Sequence, residues 1–155
     1  MIKNNTTRLL DSRKIKYEAY EFENDAKRSA EETARLLGVP PEIVFKTIVV
    51  VREKGRPILC LVSATGEVDL KKLAAALGEK KLRLPTQREA EAITGLQAGG
   101  ISPLALLNKG FQICLDRSAE KHPQIHISGG QRGLNLRIGV SDLAALTNAR
   151  WVEAT

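Results

Sequence analysis

Val44-Phe45-Lys46-Thr47-Ile48-Val49-Val50-Val51 is the most β-prone stretch of the chain. Its residues are aliphatic or β-branched for the most part, no glycine or proline interrupts it, and one charge sits inside. Period-2 alternation places Val44, Lys46, Ile48 and Val50 on one face, and Phe45, Thr47, Val49 and Val51 on the other. A strand apolar on both faces belongs in the middle of a sheet covered on both sides. Lys46 therefore shares a face with three aliphatics. Its ammonium must find a partner, line a cavity, lower its pKa, or snorkel to water along a packed stem.

Outward from this strand, Glu53-Lys54-Gly55-Arg56 reads as a turn, making Val44–Arg52 and Pro57–Ser63 a β-hairpin. Upstream, Ser29-Ala30-Glu31-Glu32 is a capping box that opens a helix through Leu37, with Gly38 as its stop. Before it, Thr6 to Ser12 reads as a helix capped from Asn4 or Asn5, Lys16 to Phe22 as a strand, and Asn24 to Arg28 as a polar connection. Tyr20 fits a half-buried strand aromatic with its hydroxyl at the surface.

Downstream, Asp69 caps a helix over Leu70–Leu77 that ends at Gly78, and Leu82–Leu84 is a short strand. Thr86-Gln87-Arg88-Glu89 is a second capping box, with its helix ending near Gly95. Ser102 and Pro103 start a short helix, Leu104–Leu107. Strands are expected over Phe111–Asp116, Gln124–Ile127 and Leu134–Val140, with loop at His122-Pro123. Ser141 and Asp142 cap a final helix to Thr147. Short strands interspersed with helices, and no repeat or linker, indicate one α+β domain over residues 1–155 with a mixed sheet.

A hydrophobic content of 43% and a charged content of 27% are those of an ordinary globular protein. Twenty-four Lys and Arg against 18 Asp and Glu leave +6, a balance that favours a polyanionic partner such as RNA or DNA. Aromatic residues at 4% argue against an extensive base-stacking platform. The start of the chain lacks the apolar core of a signal peptide, and no run approaches the ~20 apolar residues of a membrane span. Cys60 and Cys114 lie in apolar, strand-like runs, as buried free thiols of a reducing cytoplasm do. His122 and His126 have no matching cysteines, so no zinc site or other metal is expected.

Two glycine-rich turns stand out, Gly99-Gly100 and Gly129-Gly130 with Gly133. Either can present backbone N–H groups to a carbonyl or phosphate oxygen, and either can serve simply as a tight turn. Neither matches a phosphate-loop or dinucleotide signature, and no GxSxG elbow surrounds Ser128. Nothing in the sequence places a histidine beside Ser128, so no catalytic triad emerges. An enzyme built from these parts works with backbone donors, one lysine and groups on its substrate.

Three segments together resemble the YbaK/EbsC family, free-standing relatives of the editing domain of bacterial prolyl-tRNA synthetases. They are Val44-Phe45-Lys46-Thr47, Gly99-Gly100-Ile101-Ser102-Pro103 and Ser128-Gly129-Gly130-Gln131-Arg132-Gly133-Leu134, with Asp69-Leu70-Lys71-Lys72-Leu73-Ala74 between the first two. The resemblance covers nearly the whole chain. It implies a partly barrel-like sheet flanked by helices and an aminoacyl-tRNA deacylase that needs no cofactor. The best-known members clear cysteine wrongly attached to proline tRNA, the substrate's own thiol attacking its ester to release a cyclic thiolactone. By the resemblance Lys46 orients the aminoacyl end or terminal adenosine and the Gly100 N–H stabilises the oxyanion. Tyr20, Ser29, Gly99, Ser128, Gly129 and Asn135 would line the substrate site.

Ser29 stands where the best-known members have phenylalanine, and Asn135 where they have aspartate. An amide keeps hydrogen bonding but loses the charge that attracts an α-ammonium group. Both changes bear on the amino-acid preference, leaving alanine or serine as alternatives to cysteine. The implied partners are mischarged tRNA, tRNA(Pro) first, and prolyl-tRNA synthetase. Lys71, Lys72, Lys80, Lys81, Arg83 and Arg132 are candidates to hold the acceptor stem. No membrane partner is expected, and no long apolar edge or coiled coil suggests more than a monomer. A non-catalytic RNA-binding or aminoacyl-sensing module on the same fold, or a hydrolase of small acyl esters, would share these features.

Overall fold

In the computed structural model residues 2–23 and 27–155 are described. Positions 24–26 of the expected polar connection, and the first residue of the chain, lie outside them. The elements are α1 (Asn5–Ser12), β1 (Tyr17–Glu21), α2 (Ala30–Leu37), β2 (Phe45–Arg52), β3 (Ile58–Ser63), α3 (Leu70–Leu77), β4 (Leu82–Arg83), α4 (Gln87–Thr94), β5 (Gln112–Asp116), β6 (Gln124–Ser128), β7 (Leu134–Gly139), α5 (Val140–Thr147) and β8 (Arg150–Val152). The fold is α+β, as expected. The first four helices begin where a polar side chain receives an early backbone N–H, from Asn4, Ser29, Asp69 and Thr86. Gly38, Gly78 and Gly95 end α2, α3 and α4 in the left-handed region.

The strands form a five-stranded sheet ordered β4-β2-β3-β5-β8 and a three-stranded sheet ordered β1-β7-β6. The hairpin of β2 and β3 pairs antiparallel from Phe45 opposite Ser63 to Val50 opposite Ile58. β3 lies parallel to β5, and β5 parallel to β8. The sheets do not close into a barrel. A single parallel bridge, Val44 to His126, joins them among the described residues.

The Lys46 strand lies inside the sheet, between β4 and β3, as expected. β3, buried along its whole length, is the central strand, and β4 is so short that among the described residues it pairs only Arg83 and Leu82 with Val51 and Arg52 of β2. Apolar faces report what lies above and below a strand, and both faces of β2 are covered. Phe45 and Val49 join one core with Leu59, Leu61, Leu136 and Ile138, while Val50 joins another with Ile58, Cys60, Val62 and Leu73. What lies beside a strand leaves no mark on its alternation.

The Ala64 N–H donates to the Val44 carbonyl at 2.8 Å, so even-numbered residues of β2 turn their peptide groups toward β3. Those of Thr47 and Val49 turn away, and β4 does not reach them.

In the three-stranded sheet, Leu134, Leu136, Ile138, Ile125 and Ile127 face the core. The other face carries Glu18, Tyr20, Ser128, His126, Asn135 and Arg137, which the register brings side by side. It is this polar face whose end meets the cavity described below.

Other local expectations shift. The last helix starts at Val140 with Gly139 as its N-cap, leaving Ser141 and Asp142 inside the first turn without a capping role. Leu104–Leu106 and Arg117–Lys121 are 3-10 turns. β8 was not expected at all; three residues are too few for a periodic signal, and its pairing partner β5 lies far away in sequence. No helix among the described residues is long and apolar enough to cross a membrane.

Candidate active site

A cavity of about 700 Å³ opens along the stretch of β2 that β4 does not reach and that pairs with no other strand on that side among the described residues. Val44 to Val49 form its floor. The segment Lys27–Glu31 entering α2 and the segment Leu84–Gln87 entering α4 stand at its sides, and Ala98, Gly99, Ile101 and Ser128 with Arg132–Asn135 complete it. The two helix entries are held by their own capping boxes. Ser29 Oγ accepts the Glu32 N–H at 3.1 Å, and Thr86 Oγ1 accepts the Glu89 N–H at 3.2 Å. Ser29 thus lines the cavity with a hydroxyl already engaged in its helix.

Lys46 both lines the cavity and finds a partner. Its Nζ lies 3.2 Å from Glu67 Oε1, with the lysine side chain 26% and the glutamate side chain 90% exposed. The stem is packed while the head reaches an outlying carboxylate that holds it weakly. Thr47 Oγ1, next along the floor, is buried without a hydrogen-bond partner among the described residues.

The two glycine-rich turns are packed together. A Cβ on Gly100 would meet Gln131 Cα at 2.8 Å and Arg132 N at 2.9 Å. Arg132 Nε donates to the Ala98 carbonyl at 2.7 Å, tying the second turn to the first. The Gly100 N–H itself donates to the Gln97 carbonyl at 2.8 Å, closing a turn in which Gly99 has φ of +91°. Gly100 therefore sits behind the wall with its donor engaged. Gly99 and Ile101 are the turn's lining residues, and their N–H groups make no hydrogen bond among the described residues.

In the second turn, Ser128 lines the cavity and its Oγ accepts the Gly130 N–H at 3.3 Å. Gly129 lies behind, its N–H donating to the Leu134 carbonyl at 2.8 Å; a Cβ there would meet Leu134 Cγ at 2.5 Å. Asn135, directly opposite Ser128 in the β6–β7 register, lines the cavity. Its Oδ1 is 2.9 Å from His126 Nδ1. Tyr20 pairs with Asn135 across β1–β7 but stands outside the cavity wall. Its hydroxyl donates to Glu18 at 2.9 Å and its ring lies 5.5 Å from the His126 ring.

Burial, before any other influence, pushes His126 below its ordinary pKa, and the Arg137 charge pushes the same way. Around the cavity Lys27, Arg28, Lys46 and Arg132 stand against Glu31 and Glu67, an excess of positive charge that suits an anionic ligand. Among the described residues no three His, Cys, Asp or Glu side chains converge as a metal site requires.

The structure thus brings Lys46, Ser29, Gly99, Ser128 and Asn135 to one cavity and leaves Gly100, Gly129 and Tyr20 behind its wall. Sequence reasoning missed Thr47 and the His126–Asn135 pair. The sequence offers His126 only as a base or zinc ligand, because its contact with Asn135 depends on strand register.

The sequence profile of the aminoacyl-tRNA editing domain family matches residues 24–146. The chain is 35% identical over 154 residues to EbsC of Enterococcus faecalis, named as a candidate Cys-tRNA(Pro)/Cys-tRNA(Cys) deacylase; the match spans 99% of this chain and 93% of that protein. It is 30% identical over 90 residues to a proline–tRNA ligase of Thermodesulfovibrio yellowstonii, 58% of this chain but only 15% of the ligase. The solved structure of a candidate trans-editing enzyme for prolyl-tRNA synthetase superposes with a TM-score of 0.82 at 28% identity, covering 100% of this chain and 99% of that one.

Proposed function

The chain belongs to the aminoacyl-tRNA editing domain family, and from that premise we propose that it is a trans-acting aminoacyl-tRNA deacylase that removes cysteine from Cys-tRNA(Pro). The observation that carries this reading is the cavity itself. It gathers Lys46, Gly99, Ser128 and Asn135 from four separate segments around the stretch of β2 that β4 does not reach, under an excess of positive charge.

In this reading the terminal adenosine and its acyl group enter the cavity, and the cations around it hold the phosphates of the acceptor end. Lys46 orients the aminoacyl end, its weak tie to Glu67 easily exchanged for the substrate. The N–H groups of Gly99 and Ile101 take the place first expected of Gly100 and receive the ester carbonyl oxygen as negative charge develops on it. The cysteine sulfur forms the new bond to the carbonyl carbon, the ester C–O bond breaks, and the ribose oxygen leaves with the thiol proton. No side-chain nucleophile is then required of the protein. The enzyme works as a monomeric single domain in the cytoplasm, receiving tRNA(Pro) that prolyl-tRNA synthetase has mischarged.

The test is deacylation of Cys-, Ala- and Ser-tRNA(Pro) by the wild type beside Lys46→Ala. Lysine-dependent loss of cysteine supports the reading. Preferential loss of alanine or serine keeps the deacylase but overturns the thiol-assisted step, since alanine offers no nucleophile of its own and its ester must be attacked by water. Intact charge on all three, with measurable tRNA binding, replaces the enzyme with an aminoacyl-sensing module. A stable dimer by sedimentation at micromolar concentration would overturn the monomer.

A further inference from the structure

Asn135 is 6% exposed and His126 1%. Of the two ends of the Asn135 amide, Oδ1 faces His126 Nδ1 at 2.9 Å. The other end, Nδ2, has no hydrogen-bond partner among the described residues and belongs to a side chain that lines the cavity, whereas Nε2 of His126 is buried and without a partner among them. An imidazole that donates from Nδ1 leaves a bare lone pair at Nε2. The reverse arrangement would leave a buried, unpaired N–H there, the rarer and costlier orphan. Arg137, opposite His126 in register, keeps a positive charge near the ring, which also suits a neutral imidazole. Tyr20 packs against the same ring from β1, Glu18 stands nearby on that strand, and the His126 backbone is bridged to Val44.

We infer that His126 is a positioning residue that fixes Asn135 with its NH2 group toward the acyl chain, so that the cavity selects acyl groups bearing a hydrogen-bond acceptor at the γ position, hydroxyl or thiol, over those ending in a methyl. The inference rests on the deacylase reading for the identity of the ligand and on the strand register for the lock. A freely rotating asparagine could pair with a hydroxyl through either end but would lose its rotational freedom on binding, whereas one already held by His126 does not and so discriminates more sharply. Held by His126, it presents a donor only, and an acyl chain without an acceptor leaves that donor unpaired on binding. Ser128, opposite Asn135 in register, places its hydroxyl in the same wall.

Two measurements test the lock and the selection without relying on turnover. The 15N resonances of the His126 ring in the free protein at neutral pH should report a protonated Nδ1 and a bare Nε2; a protonated Nε2 overturns the lock. Binding of the hydrolysis-resistant probes 3′-seryl-amido-adenosine and 3′-alanyl-amido-adenosine should favour the seryl probe about five- to tenfold, one neutral hydrogen bond's worth. His126→Phe should lower that ratio by weakening the seryl probe alone, and His126→Asn, which keeps a donor, should restore part of it. An equal fall for both probes, or an unchanged ratio in the folded variant, overturns the selection. Asn135→Leu, which removes both ends of the amide at the cavity wall, serves where His126→Phe fails to fold, and should also lose the seryl preference. Probe binding as expected but charged tRNAs left intact would refute the deacylase reading alone.

Discussion

Gly100 and Gln131 touch through their backbones: a Cβ on the glycine would lie 2.8 Å from the Gln131 Cα. Neither main chain can yield as the end of a flexible side chain would. Gly100→Ala should therefore force the two turns apart and cost roughly 1–3 kcal/mol, the range for overpacking a well-packed contact. A shifted denaturant midpoint with parallel loss of deacylation would bear this out. Unchanged stability would mean that the turns are not held against each other.

Lys46 and Glu67 should respond unequally to substitution. Glu67 is nearly fully exposed, so Glu67→Gln should change stability by less than about 0.5 kcal/mol and leave turnover within a few-fold of wild type. Lys46→Ala should lower single-turnover deacylation by about 100-fold, the scale of losing one group that acts on the reacting end. Equal effects of the two would make the pair, rather than the lysine, the functional unit.

His126 carries a pH signature. Its folded-state pKa lies below the ordinary 6.5, chiefly through burial, so the unfolded chain takes up its proton first as pH falls. The stability that the neutral imidazole contributes is present above 6.5 and declines below it. Between pH 7.5 and 5.5 the wild type should lose more stability than His126→Phe, read from denaturant midpoints. Parallel losses would place another group behind the acid sensitivity.

Cys60 and Cys114 face each other in register on β3 and β5, both buried and both free. Burial pushes both thiols up, Cys114 to about 11, so neither holds appreciable thiolate near neutral pH. A thiol reagent at pH 8 should modify neither in the folded protein and both after denaturation. Rapid reaction of the native protein would show that the central strands open.

What was legible in the sequence was local. Ser29, Asp69 and Thr86 start helices, and Gly38, Gly78 and Gly95 end them, through contacts within one turn, so the residues that decide each boundary are neighbours in the chain. The register of β6 against β7, the shortness of β4 beside β2 and the existence of β8 depend on partners far away, and no alternation of apolar residues encodes them. The site divides in the same way. Lys46, Gly99 and Ser128 were visible as motif residues and do line the cavity, whereas Gly100 and Gly129 belong to the same motifs but brace them from behind. Motif membership could not separate a residue that faces the ligand from one that lets two turns meet.

The outward peptide groups of Thr47 and Val49 are a strand edge left open, the kind of feature through which one sheet recruits another and proteins aggregate. Here the edge lies on the floor of a recess whose walls are the entries to α2 and α4. A foreign strand would have to thread between two capped helix ends to pair with it, while a single nucleotide end, far narrower than a folded sheet, meets no such obstacle. The same enclosure that frames the cavity stands in the way of a second copy's strand, so a variant that removes a wall to widen the cavity should gain an adhesive edge as well.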